Sequence, residues 1–502
     1  MVQQTRREIV QFTLQEICEV VGGTLYGTDL EDTKNLTING VSTDSRADVT
    51  GRLFIPISGP NFDGHEYIEG AIGKGAISAL TEQEIGGKSY PLIKVNSTRQ
   101  ALIDLASYDR QRFTGPVAAV TGSAGKTTTK DMIASVLSQK YKTLKTQGNL
   151  NNDIGLPLTL LAREPEHEAM ILEMGMNHMG EISILSQIGC PDIAMITNIG
   201  DAHIENLGSR ENILKAKSEI FEGLRPGGTA ILNGDDPLLM SIPAIEFERR
   251  GVNIIYCCRK ETDSRPEITS GEWVHATLVI PKGMRGSSVS VAWNIDGITE
   301  WGTGNTQIEI PVPGSHMITN ALMAFATGLK MGLTPHQIRD GISSFTPSGN
   351  RMAITEVNGL TIINDTYNAS PSSMCATIDM LAETKAVTGR NVCILGDMLE
   401  LGEHSPSMHV GVGQHAAHMG IELLITIGTE ANAIHRAFVE LADSLLISTG
   451  KKIAALHYPD KISFLQEWEK GQIKLRSGDT ILVKASRGMA LEEIVDIISK
   501  GR

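Results

Sequence analysis

PVAAVTGSAGKTTTKDMIASVLSQK, residues 116–140, is the stretch whose reading decides the fold. Its first five residues form a short apolar run, which reads as a buried strand. Thr121, Gly122, Ser123, Ala124, Gly125, Lys126 and Thr127 read as a turn. From Thr127 onward the apolar residues fall at helical spacing: Met132 and Ile133, then Val136 and Leu137. A strand, a glycine turn and a helix start in that order make an anion site. Glycines let backbone N–H groups converge on phosphate oxygens, and the unpaired N–H groups and dipole of the helix start favour negative charge. The expected phosphate contacts are Gly122, Ser123, Ala124, Gly125, Lys126, Thr127 and Thr128. Lys126 would reach the outer phosphates, and the Thr127 hydroxyl could ligate Mg2+. The usual phosphate-loop spacing has a glycine five residues before Gly125, where this chain has Val120. The remaining GxxGK[ST] takes its meaning from the strand before it and the helix after it. An ordinary strand–helix turn in a parallel sheet is the plain alternative.

Outward from that stretch, 502 residues are too many for one ordinary domain and set a prior of two to four. A hydrophobic content of 41% with 51 glycines fits an α/β enzyme with several cores. The net charge of −14 argues against nucleic-acid or membrane-surface binding. Any phosphate site must then be a local cluster of lysines, helix dipole and metal. The six cysteines, at 18, 190, 257, 258, 375 and 393, show no metal-ligand spacing, and adjacent Cys257 and Cys258 make a poor disulfide framework. No apolar run approaches ~18 residues, and the N-terminus lacks an uninterrupted apolar stretch. The expectation is a soluble, monomeric protein of the reducing cytoplasm, with no nucleic-acid partner and no membrane insertion.

Residues 1–114 are expected to form a small α+β domain, with one helix over 14–21 and strands at 36–41, 53–57 and 92–95. Its polar clusters at 42–46 and 59–65 read as turn chemistry, which Asp, Ser and Gly serve well. Over 115–312 strands alternate with helices, the pattern of a parallel sheet whose ligands lie at the strand C-terminal ends. That rule selects Glu173 after the strand at 169–172, and Asp201 and His203 after the strand at 193–197. A carboxylate, a hydroxyl and phosphate oxygens suit Mg2+, and a nearby His is an acceptable extra ligand. Taken singly, Glu173 or His203 is an ordinary loop residue. Lys215 and Lys217 fall on a helix beginning near Arg210, where lysines would offset phosphate charge. Residues 259–311 alternate like antiparallel strands and read as a β appendage. Over 313–502 a second strand–helix alternation follows, with helices opening at Thr334-Pro335, Ser370-Pro371 and Ser405-Pro406. Its strands end in Asn364-Asp365, Gly396-Asp397 and Lys484-Ala485-Ser486-Arg487, so a cleft between two sheets is expected to bring nucleotide and acceptor together.

A set of motifs now stands in order along nearly the whole chain: TGSAGKTTTK (121–130), GNLNNDIGLPLTLL (148–161), EMGMNHMGEI (173–182), TNIGDAHIENLG (197–208) and AKSEIF (216–221). After them come GSHMITNALMAFA (314–326), SGNRM (348–352), NDTYNASPSSM (364–374), LGDMLELGEHS (395–405) and KASRG (484–488). The set resembles the Mur ligase family, ATP-dependent amide-bond formers of peptidoglycan synthesis. The resemblance implies three domains: one for the UDP end of the substrate, a central ATPase, and a Rossmann-like C-terminal domain that closes over ATP. It implies that Lys126 and Thr127 hold the γ-phosphate and a first Mg2+ together with Glu173, and that His203 ligates a second. It makes Lys217, from its place in AKSEIF, the carbamylated lysine. Asn320 would contact adenine, and Arg351 and Asp365 phosphate and ribose. Ser45 and Arg46 would lie at the uridine, with Asn151 and Asn152 nearer the sugar. Asn368, Lys484, Ser486 and Arg487 would complete the substrate side. Within the family, NDTYNASPSSM and LGDMLELGEHS point to the step that joins D-alanyl-D-alanine to UDP-N-acetylmuramoyl-tripeptide through an acyl phosphate. Met317, Ser370 and Gly488 depart from the family's usual Asn, Asn and Ser, which touches the adenine and dipeptide contacts. The competing readings are another Mur-type or folylpolyglutamate ligase, and a nucleotide-dependent switch, for which the chain lacks an NKxD guanine-reading motif.

Overall fold

The computed structural model describes residues 11–27, 33–83, 88–259, 271–297, 301–384, 389–449 and 453–501. The first ten residues, and the parts of the β appendage at 260–270 and 298–300, lie outside the described residues. The phosphate-loop strand Val117–Thr121 is buried along its whole length and sits inside a nine-stranded sheet. Its neighbours are Ala169–Glu173 on one side and Ile193–Ile196 on the other, both parallel to it. Strands this apolar, covered on both faces, belong to the middle of a parallel sheet. Thr143–Lys145 flanks Ala169–Glu173, while Thr229–Asn233 and Asn253–Cys258 continue the parallel run beyond Ile193–Ile196. The β appendage is continuous with this sheet. Glu272–Pro281 pairs in parallel with Asn253–Cys258, and Ser287–Asn294 and Thr303–Ile310 close the edge in antiparallel register.

A six-stranded sheet follows, in the order Ala353–Val357, Leu360–Asp365, Thr480–Lys484, Asn391–Gly396, Leu423–Ile427 and Ala454–Tyr458. All its pairings are parallel except the first. Ahead of the central sheet lies a five-stranded one, Thr24–Tyr26, Leu92–Lys94, Ser78–Thr81, Leu53–Phe54 and Val41–Ser42. One apolar cluster runs from Phe12 through Leu172 to Leu482, so the three units share packed boundaries. No helix of the described residues is long and apolar enough to cross a membrane.

The helix Ser315–Lys330 is buried without interruption from Met317 to Leu329. A helix that is apolar all round must be surrounded, and this one shares a core with Val120, Ile133 and Met195 of the central sheet and its phosphate helix. Pro335–Ser343 packs into the same core through Ile338 and Ile342. We therefore propose 346–352 as the junction between the second and third units, in place of the expected change at 312/313. Thr334 and Ser370 are N-caps as expected. Ser405 is not: the N-cap is His404, and the Ser405 hydroxyl donates to Glu430.

Candidate active site

The turn after Val117–Thr121 is held from one side. Ala124 N donates to Asn198 Oδ1 at 2.9 Å, and Asn198 Nδ2 and Thr197 Oγ1 both donate to Ala124 O, at 3.0 and 2.5 Å. Gly200 N donates to Ser123 Oγ at 2.8 Å. The loop is thereby clamped to the segment after the next strand. Gly122 has φ +151°, and a Cβ there would collide with Thr197 Oγ1. Gly125, at φ +79°, opens the helix Lys126–Leu137 without a side-chain cap, so the first helical N–H groups stay available for an anion. Lys126 Nζ donates to Gly122 O at 2.8 Å, on the rim of the loop. Asn320 lies beside it, its Oδ1 3.4 Å from where a Cβ of Gly125 would sit. Met317 accepts a 3.7 Å contact from Asn320 Nδ2 through its sulfur, so the departure from Asn positions Asn320.

Four charged or titratable groups converge on Lys126. Its ammonium is pushed below the usual lysine value by burial, held up by Glu173 and pushed down again by Arg351. His203 is held down to about 3, first by burial, then by Lys126, Lys217 and His178. Lys217 is 1% exposed, and its amine makes no hydrogen bond or ion pair with any described residue. Burial, with Lys126 adding to it, pushes its amine well below the usual lysine range and favours the neutral form. Glu173 closes its strand with its carboxylate buried. Oε1 accepts from Asn151 Nδ2 at 2.9 Å, whereas Oε2 has no hydrogen bond and lies 3.7 Å from Lys130 Nζ.

This donor set fits a magnesium–nucleotide complex. The orphaned Glu173 Oε2, the Thr127 hydroxyl at the helix start and a neutral His203 are oxygen and nitrogen donors around one lysine. No group of three or more His, Cys, Asp or Glu among the described residues could hold a metal ion by itself. Magnesium is ordinarily held by one or two protein ligands plus phosphate oxygens and water, which is the share the chain offers here.

In the third unit, Asp365 ends its strand, accepts from Lys484 Nζ at 2.5 Å and receives Met352 N at 3.2 Å. Lys484 also donates to Asn368 O at 3.0 Å, and Ser486 Oγ accepts from Leu399 N at 2.9 Å. Arg351 stacks over the Tyr367 ring at 3.5 Å. Arg487 lies 5.9 Å from the same ring and pairs with Glu492. Ser370 caps its helix, and Gly488 sits in the turn Arg487–Met489. Of these groups, Arg351 lies near enough to Lys126 to push its ammonium down. The N-terminal candidates do not join them. Arg46 is fully exposed and chelated by both Asp44 oxygens, at 2.9 and 3.0 Å, and the Ser45 carbonyl accepts from Lys74. Asn151 serves Glu173, and Asn152 Oδ1 accepts from Gly155 N at 2.8 Å, opening the helix Gly155–Leu161.

Sequence reasoning passed over Lys130, Asn198, Tyr367 and Glu400. Lys130 stands as the last letter of TGSAGKTTTK, and only the packing of the helix Lys126–Leu137 on the strand Ala169–Glu173 reveals that it faces Glu173.

A Mur ligase middle domain matches residues 120–328, a glutamate ligase domain of the same family 350–487, and a Mur ligase family catalytic domain 37–110. A UDP-N-acetylmuramoyl-tripeptide–D-alanyl-D-alanine ligase of Bacillus subtilis is 38% identical over 490 residues, 97% of this chain and 98% of the relative. The Escherichia coli enzyme of that name is 33% identical over 97% of this chain and 98% of its own. Among solved structures, MurF from Acinetobacter baumannii superposes with a TM-score of 0.82 at 29% identity, covering 98% of this chain and all of that one. A MurF ligase from Thermotoga maritima in complex with ADP gives 0.74 at 25% identity, covering 92% and 97%. The fold is that of the ATP-dependent ligases of peptidoglycan-precursor synthesis. The chain belongs to the Mur ligase family.

Proposed function

We propose that this ligase joins D-alanyl-D-alanine to the terminal carboxylate of UDP-N-acetylmuramoyl-tripeptide in the cytoplasm, converting ATP to ADP and phosphate. The observation that carries the reading is the convergence of Lys126, Glu173, His203 and Lys217 at the mouth of the central sheet, with Arg351 of the third unit near Lys126. The full-length relatives that carry this activity in their names support the choice of acceptor.

The tripeptide carboxylate attacks the γ-phosphorus, ADP leaves, and an acyl phosphate forms. The dipeptide amine then attacks the acyl carbon, loses its proton, and phosphate departs. Two anions must meet in the first step, so the site works by charge neutralisation and positioning. Lys126 covers the transferring group, the loop N–H groups hold the inner phosphates, and Arg351 approaches from the third unit. Thr127, Glu173, His203 and Lys217 are the residues to hold magnesium, which supplies further positive charge to the triphosphate. As an ammonium, Lys217 would repel a cation. Its burial favours the neutral amine, which can add to CO2 and release a proton, leaving a carbamate with anionic oxygen ligands. Closure of the third unit keeps the acyl phosphate from water.

ADP release with purified UDP-muramoyl-tripeptide carrying either lysine or diaminopimelate, with and without D-alanyl-D-alanine, tests the reading. Release should require both substrates. Acceptor-independent hydrolysis would indicate a switch, and coupling to a single amino acid or to a folate would indicate another ligase of the family.

A further inference from the structure

The loop after the strand Asn391–Gly396 presents an exposed acid in a strained backbone conformation. Glu400 has φ +63°, its side chain is 58% exposed, and its Oε2 lies 3.1 Å from Nδ1 of His203, itself at φ +65°. Left-handed backbone at a non-glycine residue persists only where the surroundings over-determine it. Here two such residues face each other across the boundary between the middle and third units. The boundary around them is tight. A Cβ at Gly402 would come within 3.0 Å of Glu205 Cγ, and one at Gly200 within 2.8 Å of Ser372 Oγ. The loop is anchored just before Glu400, where Met398 N donates to His409 Nε2 at 3.0 Å and Leu399 N to Ser486 Oγ at 2.9 Å. Packing does not account for Glu400, since most of its side chain is in solvent. Among the described residues its one ion-pair partner is His203.

We infer that Glu400 is a positioning residue supplied by the third unit: its carboxylate engages Nδ1 of His203, fixes the tautomer that leaves the Nε2 lone pair free, and so completes the cation-holding set. The inference rests on the reading of His203 as a ligand given above. The present contact has the distance of an ion pair without the alignment of a hydrogen bond, so a small side-chain rotation would complete it. A carboxylate behind a ligating imidazole orients the ring and raises its basicity, and losing such a partner typically costs 10–100-fold in metal affinity or activity. Because the acid and the imidazole belong to different units, tight cation binding, and with it phosphoryl transfer, requires the two units to be packed together as they are here.

Two variants separate charge from backbone. Glu400→Gln keeps the shape and removes the charge, and Glu400→Gly removes the side chain at a φ that glycine adopts freely. The measurements are Mn2+ affinity of the ADP complex by electron paramagnetic resonance, metal-free ADP affinity by equilibrium dialysis, and kcat and KM for ATP. Both variants should bind Mn2+ about 10–100-fold more weakly and lose kcat, with metal-free ADP affinity unchanged; Glu400→Asp should recover part of the loss. Wild-type Mn2+ affinity in both Gln and Gly variants overturns the inference. His203→Ala is the control: if it too keeps wild-type Mn2+ affinity, the underlying reading of His203 fails. If it loses affinity while the Glu400 variants do not, only the role of Glu400 falls.

Discussion

Lys217 and His203 are both nitrogen bases taken out of water beside Lys126, and each responds in a different measurable way. Lys217→Ala should lower turnover by at least about 100-fold while ATP binding persists, because the phosphate loop is built without it; steady-state kinetics beside ATP titration by calorimetry checks this, and unchanged turnover would remove Lys217 from the mechanism. His203 is held to about 3 in the folded chain, chiefly by burial, against about 6.5 when unfolded. Above pH 6.5 both states are neutral there and folding gains nothing. As pH falls from 6.5 toward 3 the unfolded state takes up a proton that the folded state refuses, so stability is lost through that window. Urea unfolding of wild type and His203→Gln at pH 7.5 and 5.5 should show wild type losing about 1 kcal/mol more than the variant on acidification. The motif letters made Lys126, Glu173, His203 and Lys217 legible in the sequence. The roles of Asn151 and Asn152 were less so: two adjacent asparagines look alike as letters, and only the fold sends one to Glu173 and the other to a helix start.

The phosphate helix Lys126–Leu137 joins the loop to a buried charge network. Lys130 Nζ donates to Thr146 O at 2.8 Å and lies 3.6 Å from Asp131, whose carboxylate also takes Lys145 Nζ at 2.8 Å and the Ser348 hydroxyl. Lys130 is 2% and Asp131 5% exposed. Removing one partner of a buried pair leaves a charge uncompensated, which commonly costs about 3–5 kcal/mol. Asp131→Asn should therefore destabilise the chain by about 3 kcal/mol in chemical unfolding, and Ser348→Ala, which deletes a neutral partner, by about 1 kcal/mol. Equal effects of the two would argue against a charge-balancing role for Asp131. On the loop side, Gly122→Ala must shift Thr197, which holds Ala124. It should weaken ATP binding at least about 10-fold in calorimetric titration, with about 2 kcal/mol of stability lost to backbone strain. The strand–turn–helix reading survived intact because its apolar periodicity changes from contiguous to helical within ten residues. The lysine–aspartate network did not announce itself, since Lys130 and Asp131 on a helix read as an exposed pair until the packing against Thr143–Lys145 and the 346–352 segment is known.

At the scale of the whole molecule, the sequence divides at 312/313, where one strand–helix alternation gives way to another, with the Thr334-Pro335 cap inside the new unit. The physics of the helix before that cap points the other way. Ser315–Lys330 buries Ile318, Leu322, Met323, Phe325 and Leu329 against the central sheet, and each such side chain is worth about 1.5–3 kcal/mol on burial. Five of them approach or exceed the ~5–15 kcal/mol by which a domain is usually stable. A fragment covering residues 115–312 should lack a cooperative unfolding transition and expose Val120, Ile133 and Met195 to solvent. One covering 115–345, which restores both Ser315–Lys330 and Pro335–Ser343, should unfold cooperatively. Urea titration followed by near-ultraviolet circular dichroism distinguishes them. Cooperative unfolding of the shorter fragment would return the junction to 313, whereas a transition confined to the longer one leaves 346–352 as the junction between the second and third units.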